Sequence, residues 1–430
     1  MGHGCGSAPP ATMARMRAFA FTLFLAALVG VGCSAGAAPS APSAPSAPSA
    51  PLASQAVSSP EEGRFSEPPD PTRRRLPSSE PGMARLEPAE GTWFGLNLDW
   101  SSDSVEAAAG RFGRTPAVWV QFARFPLDQG AREVLDAFVA QVAGVGGMAL
   151  ITLEPHDGLI AVTDAAAAEL GDLLARYWTD SGVPTFVRFA HEMNGSWYPW
   201  GQDPETYVEA FRRVASAVHE RAPGSAMIWA PNEGAGYPFP AGPHLARPGS
   251  PAEQALDTDS DGRLTAADDP YRPYYPGDDA VDWVGMSLYH WGREYPWGEN
   301  ELPRQGTFAA LLTGTTADAG QPGTAARDFY ATYAVGHDKP LAIVETAILF
   351  DPAAAHGPSE ADLKKAWFNE VFGETTRAGF PRIGMLSWFE WRKEEAEVGR
   401  VIDWRIASDP ALARRLLAST PSGWLRFAGD

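Results

Sequence analysis

The chain has 430 residues, a formal net charge of −19 and two cysteines, Cys5 and Cys33. Nucleic acid and anionic membrane surfaces are poor partners for so acidic a chain, whereas a neutral polymer is compatible with it. Because both cysteines lie near the start, a folded domain further along contains no disulfide and depends on a large apolar core.

Residues 1–33 have the pattern of a signal peptide. Arg15 and Arg17 precede the apolar run AFAFTLFLAALVGVG, which is too short to span a bilayer comfortably. A small residue stands before Cys33, as at bacterial lipoprotein cleavage sites. We expect an extracellular or cell-surface protein that touches the membrane only through a lipid on Cys33. Ordinary secretory cleavage a few residues later is the alternative.

Residues 34–89 form a low-complexity tether. The repeat APSAPSAPSAPSAP cannot build a core and is typical of an extended, polyproline-like spacer. A spacer between an anchor and a domain predicts that residues 90–430 fold separately from the membrane surface, and we expect that domain to be a monomer.

Eight short apolar runs follow, and helix-period segments lie between several of them. The runs are TWFGLNL (92–98), AVWVQFA (117–123), MALITLE (148–154), TFVRFAH (185–191), AMIWAP (226–231), VDWVGMSLY (281–289), LAIVE (341–345) and IGMLSWFE (383–390). Near-continuous apolar strands that alternate with helices indicate a parallel sheet covered on its faces. The fold class predicted is α/β, a (β/α)₈ TIM barrel with a long insertion at about 232–280, between strands five and six. A doubly wound sheet is the alternative, but no glycine-rich phosphate turn follows the first strand.

Two of the helical segments carry start signals. Asp203 and Pro204 precede a face formed by Tyr207, Phe211, Val214 and Val218, so we predict an N-cap at Asp203. Ser359 and Asp362 have capping-box spacing ahead of another helix.

Glutamates stand at the ends of strands four and seven. In a (β/α)₈ barrel the active site lies at the carboxyl ends of the strands, so Glu192 and Glu345 are expected to face one cleft. Two carboxyl groups can hydrolyse a glycosidic bond. One, as the acid, protonates the leaving oxygen, while the other attacks the anomeric carbon or activates water. Strand-end glutamates also occur as helix caps or surface charges, which is the alternative.

The segments RFAHEMNGSWYPWG (188–201), YYPGDDAVDWVGMSLY (274–289) and AIVET (342–346) resemble glycoside hydrolase family 26. This family of retaining β-mannanases and relatives has its acid/base on strand four and its nucleophile on strand seven. The resemblance covers the barrel but not the tether. It implies that Glu192 is the acid/base and Glu345 the nucleophile.

The same resemblance implies roles for the residues around the glutamates. It makes His191 a glycone-subsite residue, Trp197 a sugar-stacking residue, Tyr289 a partner of the nucleophile and Trp388 the platform under the bound ring. From the residues alone, Arg188 is expected to form an ion pair that orients a carboxylate. His191 is alternatively a core histidine, and His156 is either a subsite residue or a loop residue.

Glu233 is a rival for the acid/base role. Asn232 precedes it, and enzymes of this clan often carry Asn-Glu at that position. Strand counting, however, places the pair on strand five, one strand too late. We therefore expect Glu233 to be a subsite or structural residue.

The predicted insertion contains DTDSDGRLTAAD (257–268), which matches an EF-hand or dockerin-like calcium loop. The predicted structural calcium has five ligands: Asp257, Asp259, Asp261, the backbone carbonyl of Arg263, and Asp268. A plain acidic turn is the alternative, and no metal is expected to take part in catalysis.

The function predicted is hydrolysis of a β-linked polysaccharide, endo-β-1,4-mannan above all. Mixed-linkage β-1,3-1,4-glucanase and β-1,3-xylanase activities are the alternatives within the resemblance. A non-catalytic surface carbohydrate-binding barrel is a rival from another class, but both glutamates are present. A metal-dependent hydrolase that uses His156, His191 and Glu233 is a third rival.

Overall fold

The computed structural model describes residues 82–240, 242–293, 297–315, 327–395 and 398–430. The predicted signal peptide with Cys33, and most of the predicted tether, lie outside the described residues. Within the described ranges, every helix is too short or too polar to cross a bilayer.

The described chain folds around a closed barrel of eight parallel strands, as predicted. Each strand pairs with the next one along the chain, and the first pairs with the eighth, which closes the barrel. The strands are β1 Thr92–Leu98, β2 Val118–Arg124, β3 Met148–Glu154, β4 Thr185–Phe189, β5 Ser225–Trp229, β6 Trp283–Ser287, β7 Leu341–Thr346 and β8 Ile383–Glu390. The bounds predicted from the apolar runs agree with these within two residues.

Three short strands, nine α-helices, two 3₁₀ helices (Leu159–Ala161 and Arg272–Tyr274) and one π-helix (Tyr330–Val335) complete the regular structure of the described residues. β9 (Arg392–Glu395) and β10 (Arg400–Asp403) form an antiparallel hairpin directly after β8, and β11 (Leu425–Arg426) pairs with β1. The helices are α1 Val105–Phe112, α2 Gln129–Gly144, α3 Asp164–Ser181, α4 Pro204–Arg221, α5 Pro251–Leu256, α6 Thr307–Thr313, α7 Glu360–Phe372, α8 Glu374–Gly379 and α9 Pro410–Ala418.

Both predicted helix starts are confirmed. The side chain of Asp203 accepts a hydrogen bond from the backbone N–H of Thr206, and Pro204 occupies the first turn of α4. The hydroxyl of Ser359 likewise accepts from the N–H of Asp362 at the start of α7. Each cap satisfies a backbone donor that the helix itself leaves unpaired.

Alternate side chains of each strand face either the barrel interior or the surrounding helices. The interior is a small apolar cluster of its own, separate from the larger core between barrel and helices. Its members include Val118, Val120, Leu150, Phe186, Ile228, Trp283, Val344 and Met385. This alternation decides which strand-end residues reach the cleft.

Bulges in β6 and β7 change that alternation near the cleft. The pairing register shifts between Met286 and Ser287, and again between Ile343 and Thr346. Val344 faces the interior, so strict alternation would turn the next residue outward. Instead, Glu345 contacts the inward side chain of Arg188, while Thr346 faces α7 and accepts a hydrogen bond from Trp367. The extra residue therefore aims the carboxylate of Glu345 into the cleft.

Candidate active site

Glu192 lies in a tight turn just after β4. Ala190 and Glu192 both have left-handed backbone conformations, with φ of 46° and 54°. The backbone N–H of Glu192 donates to the carbonyl of Ala230 beyond β5, which holds this turn against the next strand. The indole Nε1–H of Trp197 donates to Glu192 Oε2 over 3.1 Å. Strained backbone of this kind is typical of functional sites, where surrounding contacts maintain it.

Glu345 is buried and held on both oxygens. A nitrogen of the fully buried Arg188 guanidinium donates to Oε1, and the hydroxyl of Tyr289 donates to Oε2 over 2.6 Å. Burial removes the water that would otherwise solvate this carboxylate, and the guanidinium and the phenol supply a hydrogen-bond donor to each of its oxygens. The predicted pairing of Arg188 with a carboxylate is present, and that carboxylate is Glu345.

The two glutamates influence each other electrostatically. Burial, and next the negative charge of Glu345, raise the pKa of Glu192 to about 7, while Arg188 opposes the shift. A carboxyl group of this kind holds its proton near neutral pH and can deliver it to a leaving oxygen. The two glutamates therefore differ: the pKa of Glu192 is raised to about 7, and Glu345 has a hydrogen-bond donor on each oxygen.

Two histidines lie on the same side of the cleft. His191 is buried, its Nε2 lies 3.2 Å from the hydroxyl of Tyr198, and its ring meets Phe122 edge-on. Burial and the nearby Arg188 lower its pKa, so the ring is neutral. His156 lies on the loop after β3, partly exposed, with its ring against Trp200. The roles of both histidines as subsite residues remain predictions.

The structure places Trp388 away from the cleft, so its predicted role as the sugar platform is wrong. Trp388 is fully buried, packs against Phe368 and Phe372 of α7, and donates its indole N–H to the carbonyl of Trp404. The strand alternation explains this, because Met385 faces the interior and Trp388 therefore faces the helices.

Trp391, three residues after Trp388, is a candidate for the role of sugar platform. It follows β8 in the inward register of Met385, is partly exposed and stacks on Phe389 with ring planes 10° apart. Its indole N–H donates to Asn97 Oδ1 at the end of β1, which fixes the orientation of the ring. Counting by two along the last run is the signal that would have identified it.

Glu233 does not join the glutamate pair. Its carboxylate accepts from the backbone N–H of Ala235 in its own loop, and burial raises its pKa to about 7. Among the described residues, side chains close enough to share a metal ion gather only at Asp257, Asp259 and Asp261. His156, His191 and Glu233 therefore do not converge on one metal, which removes the geometry that the metal-dependent rival requires.

The acidic loop of the insertion brings three of the predicted ligands close together, and calcium binding there stays a prediction. Carboxylate oxygens of Asp257, Asp259 and Asp261 all lie within 4.8 Å of one another. Asp268 is absent from that group, because its oxygens accept hydrogen bonds from the backbone of Thr258 and Thr265. In this arrangement Asp268 closes the loop, and the first three aspartates provide the acidic cluster. Arg263 lies in the same loop, where its N–H donates to Asp261.

Comparison with known proteins gives a family match over part of the chain. Residues 153–239, which include Glu192 and Trp197, match the family described as "Glycosyl hydrolase family 26". A curated relative, Endoglucanase H of Acetivibrio thermocellus, is 24% identical over 330 residues, which is 74% of this chain and 29% of the relative. The chain thus spans less than a third of the length of that relative.

A solved structure shares the fold. A double mutant of the Cellulomonas fimi endo-β-1,4-mannanase superposes with a TM-score of 0.50 at 16% identity, covering 79% of this chain and 73% of that one. Together, the family match, the relative and the geometry of the two glutamates support a glycosidase with the (β/α)₈ fold.

Proposed function

We propose that the protein is a retaining glycoside hydrolase that cleaves a β-linked polysaccharide, with β-1,4-mannan as the substrate. The carrying observation is the contrast between the two glutamates. Glu192 has a pKa of about 7, whereas Glu345 is held by Arg188 and Tyr289 as a buried carboxylate. One acid and one nucleophile at the ends of β4 and β7 are the requirements of a double displacement.

In the first step, Glu192 transfers its proton to the glycosidic oxygen as the bond to the anomeric carbon breaks. Glu345 attacks that carbon and forms a glycosyl ester, which removes its negative charge. Glu192, now ionised, accepts a proton from water in the second step, and the hydroxide equivalent displaces Glu345. Both glutamates return to their starting protonation states, so the enzyme gains or loses no proton over the full cycle.

Mannan is favoured because the matched family segment spans the Glu192 loop and because the structural neighbour is described as a mannanase. A β-glucan is the second candidate, favoured by the similarity to Endoglucanase H. Reducing-sugar release from mannans, lichenan, cellulose and β-1,3-xylan ranks these substrates. Highest turnover on a polymer other than mannan would overturn the substrate assignment.

The experiment that tests the mechanism compares two substrates that differ in their leaving groups. Glu192→Ala should lower hydrolysis of the polymer by about 10²–10⁴-fold, yet largely spare an aryl glycoside whose leaving group needs no proton. Glu345→Ala should abolish hydrolysis of both. Glu233→Ala is the matched control, and equal losses on both substrates in Glu192→Ala would remove Glu192 from the acid role.

We also propose that the 257–268 loop binds a structural calcium ion and that Cys33 carries a lipid anchor. The calcium proposal is supported by the loop sequence and the three clustered carboxylates. The anchor proposal is supported by the sequence of residues 15–33. Membrane partitioning that is lost in Cys33→Ala tests the anchor, and a soluble wild-type protein that starts beyond Cys33 would contradict it.

A further inference from the structure

Glu154 ends β3 in the register that faces the barrel interior. Met148 and Leu150 of the same strand belong to the interior cluster. Leu153, directly before Glu154, belongs instead to the larger core between barrel and helices. Because side chains alternate along a strand, the carboxyl group of Glu154 points into the barrel at the carboxyl end of β3. That end of a (β/α)₈ barrel is where the cleft lies.

The backbone sets Glu154 beside the turn that carries Glu192. In the ladder between β3 and β4, Leu153 lies opposite Phe189. Ala190 then donates its backbone N–H to the carbonyl of Leu153 over 2.9 Å. Glu154 is therefore level with Ala190, two residues before Glu192, and the two glutamates occupy neighbouring strand ends.

The carboxyl group of Glu154 is buried without a hydrogen-bond donor. Its side chain is 5% exposed, and Nε2 of His156 lies 3.4 Å from Oε2. That contact is not a hydrogen bond, since among the described residues His156 Nε2 has no hydrogen-bond partner. Glu345, in contrast, has a donor on each oxygen. A buried polar group that lacks a partner is costly to the fold, and a bound ligand is one way to satisfy it.

Aromatic rings surround this part of the cleft. His156 packs against Trp200 with ring centroids 5.3 Å apart, and His191 packs against the same indole at 5.8 Å. His191 also meets Phe122 edge-on, and Phe122 lies opposite Thr152 in the ladder between β2 and β3. The β3 side of the cleft therefore combines ring surface with an unpartnered hydrogen-bond acceptor, which is the composition of a small-molecule or sugar subsite.

We propose that Glu154 is a substrate-binding residue that accepts hydrogen bonds from the hydroxyl groups of the sugar unit bound beside Glu192. This inference rests on the proposed function, because it takes the ligand to be a neutral polysaccharide. The two oxygens of one carboxyl group can accept from two adjacent hydroxyls of one ring. A metal ion fits the site less well, because among the described residues side chains that could share one gather only at the acidic loop.

Glu154→Gln tests the contact, with Glu390→Gln as the matched control. Glu390 is also a buried glutamate that ends a strand, but it lies in the helix-facing register of Trp388 and accepts from the backbone N–H of Ile406. Both changes are made in Glu345→Gln, which prevents turnover, so that calorimetry gives the Kd of mannotetraose and of cellotetraose. We expect Glu154→Gln to raise the Kd of the tighter tetrasaccharide about 10–100-fold, the scale of hydrogen bonds to a charged group, and Glu390→Gln to leave it unchanged.

Thermal melts separate a ligand contact from a structural role. Because the carboxyl group of Glu154 has no hydrogen-bond partner among the described residues, Glu154→Gln should leave the melting temperature unchanged. A clear fall would overturn the inference, since the carboxyl group would then stabilise the fold. A loss of affinity that disappears in a His156→Ala background would also overturn it, because Glu154 would then act only by orienting that ring.

Monodeoxy forms of the tighter tetrasaccharide identify the contact itself. At least one hydroxyl should contribute to binding in Glu345→Gln and contribute nothing once Glu154→Gln is added, as expected for two groups in direct contact. Equal effects of every hydroxyl in both proteins would overturn the contact. A glucosamine tetramer that binds more tightly than both neutral probes would do so too, because the carboxyl group would then bind an ammonium ion.

A failure of the proposed function looks different from a failure of this inference. If Glu192→Ala loses polymer and aryl glycoside equally while Glu154→Gln still weakens binding, the reaction assignment fails and the contact stands. If the Kd is unchanged in Glu154→Gln while Glu192→Ala behaves as a missing acid, the contact fails and the hydrolase assignment stands.

Discussion

The hydroxyl of Tyr289 donates a 2.6 Å hydrogen bond to Glu345 Oε2, on the opposite oxygen from Arg188. Tyr289 is itself held edge-on against Phe389 and Trp404, with ring centroids 5.7 Å and 5.4 Å away. The carboxylate of Glu345 therefore has a fixed orientation before any substrate binds, since each of its oxygens has a donor on a different strand end.

Tyr289→Phe removes that donor while keeping the ring. A hydrogen bond to a charged group contributes about 1.5–3 kcal/mol, so kcat/KM should fall about 10–100-fold on polymer and aryl glycoside alike. Tyr207→Phe is the control, because Tyr207 is buried on α4 and its hydroxyl has no hydrogen-bond partner among the described residues. Equal activity of Tyr289→Phe and the wild type would show that the orientation of Glu345 does not depend on this bond.

The pKa of Glu192 predicts the alkaline limb of the pH profile. The acid must be protonated when the leaving oxygen departs, so kcat/KM should fall as pH rises through about 7. Glu345→Gln removes the neighbouring negative charge, and the pKa of Glu192 should then move down towards the usual carboxyl range. Carbon-13 NMR titration measures both states. A pKa in Glu345→Gln as high as in the wild type would mean that burial alone sets the value.

A double displacement also fixes the stereochemistry of the product. Two inversions at the anomeric carbon leave the first-formed product with the β-configuration. Proton NMR during the first minutes of hydrolysis, before the anomers equilibrate, distinguishes the outcomes. An initial α-anomer would identify an inverting enzyme, in which Glu345 activates water and forms no ester.

Trp388 and Trp391 should behave in opposite ways. Trp388→Ala leaves a cavity between β8 and α7, and such losses cost about 3–5 kcal/mol of folding free energy. Trp391→Ala should change the melting temperature little but raise KM for the polymer, because a partly exposed ring in the inward register of β8 is available to stack on a sugar. Thermal melts and Michaelis constants on both variants decide between the two positions. A normal KM in Trp391→Ala would show that substrate does not contact that ring.

Much of the architecture is readable from the sequence because each strand is a short apolar run between loop and helix signals. The ends of β4, β6 and β7 placed Glu192, Tyr289 and Glu345 in one cleft, and the structure brings those side chains together. In such runs, however, both faces are apolar, so the residue types do not show which side chain points inward. For this reason the residue types alone do not show that Trp388 faces the helices.

Bulges and polar links are harder to read. The shift in β7 that turns Glu345 inward leaves no mark in the run LAIVET. Ser287 is a single hydroxyl in an apolar strand, and its hydrogen bond to Arg188 depends on a distance that only the folded barrel sets. Asp268 matches the last position of a calcium loop in sequence, yet its oxygens accept backbone hydrogen bonds.

Calcium should stabilise the 257–268 loop modestly. The clustered carboxylates of Asp257, Asp259 and Asp261 repel one another without a cation, so ion binding and loop order should be coupled. Extracellular calcium modules bind at roughly 10⁻⁴–10⁻³ M, and at millimolar calcium the gain is on the order of 1 kcal/mol. For a domain of this size that raises the melting temperature by about 2 °C and slows proteolysis within the loop.

The double variant Asp257→Ala with Asp261→Ala should erase this response. A charge-matched control, Glu106→Ala with Glu220→Ala, removes two exposed helix carboxylates elsewhere and should keep it. Turnover should change little in either variant, because the substituted residues are not part of the candidate active site around Glu192 and Glu345. Melting curves and limited proteolysis with calcium, magnesium and chelator provide the comparison. If wild-type protein melts and is cut identically in all three conditions, the loop is an acidic surface turn, and Asp268 alone is sufficient to close it.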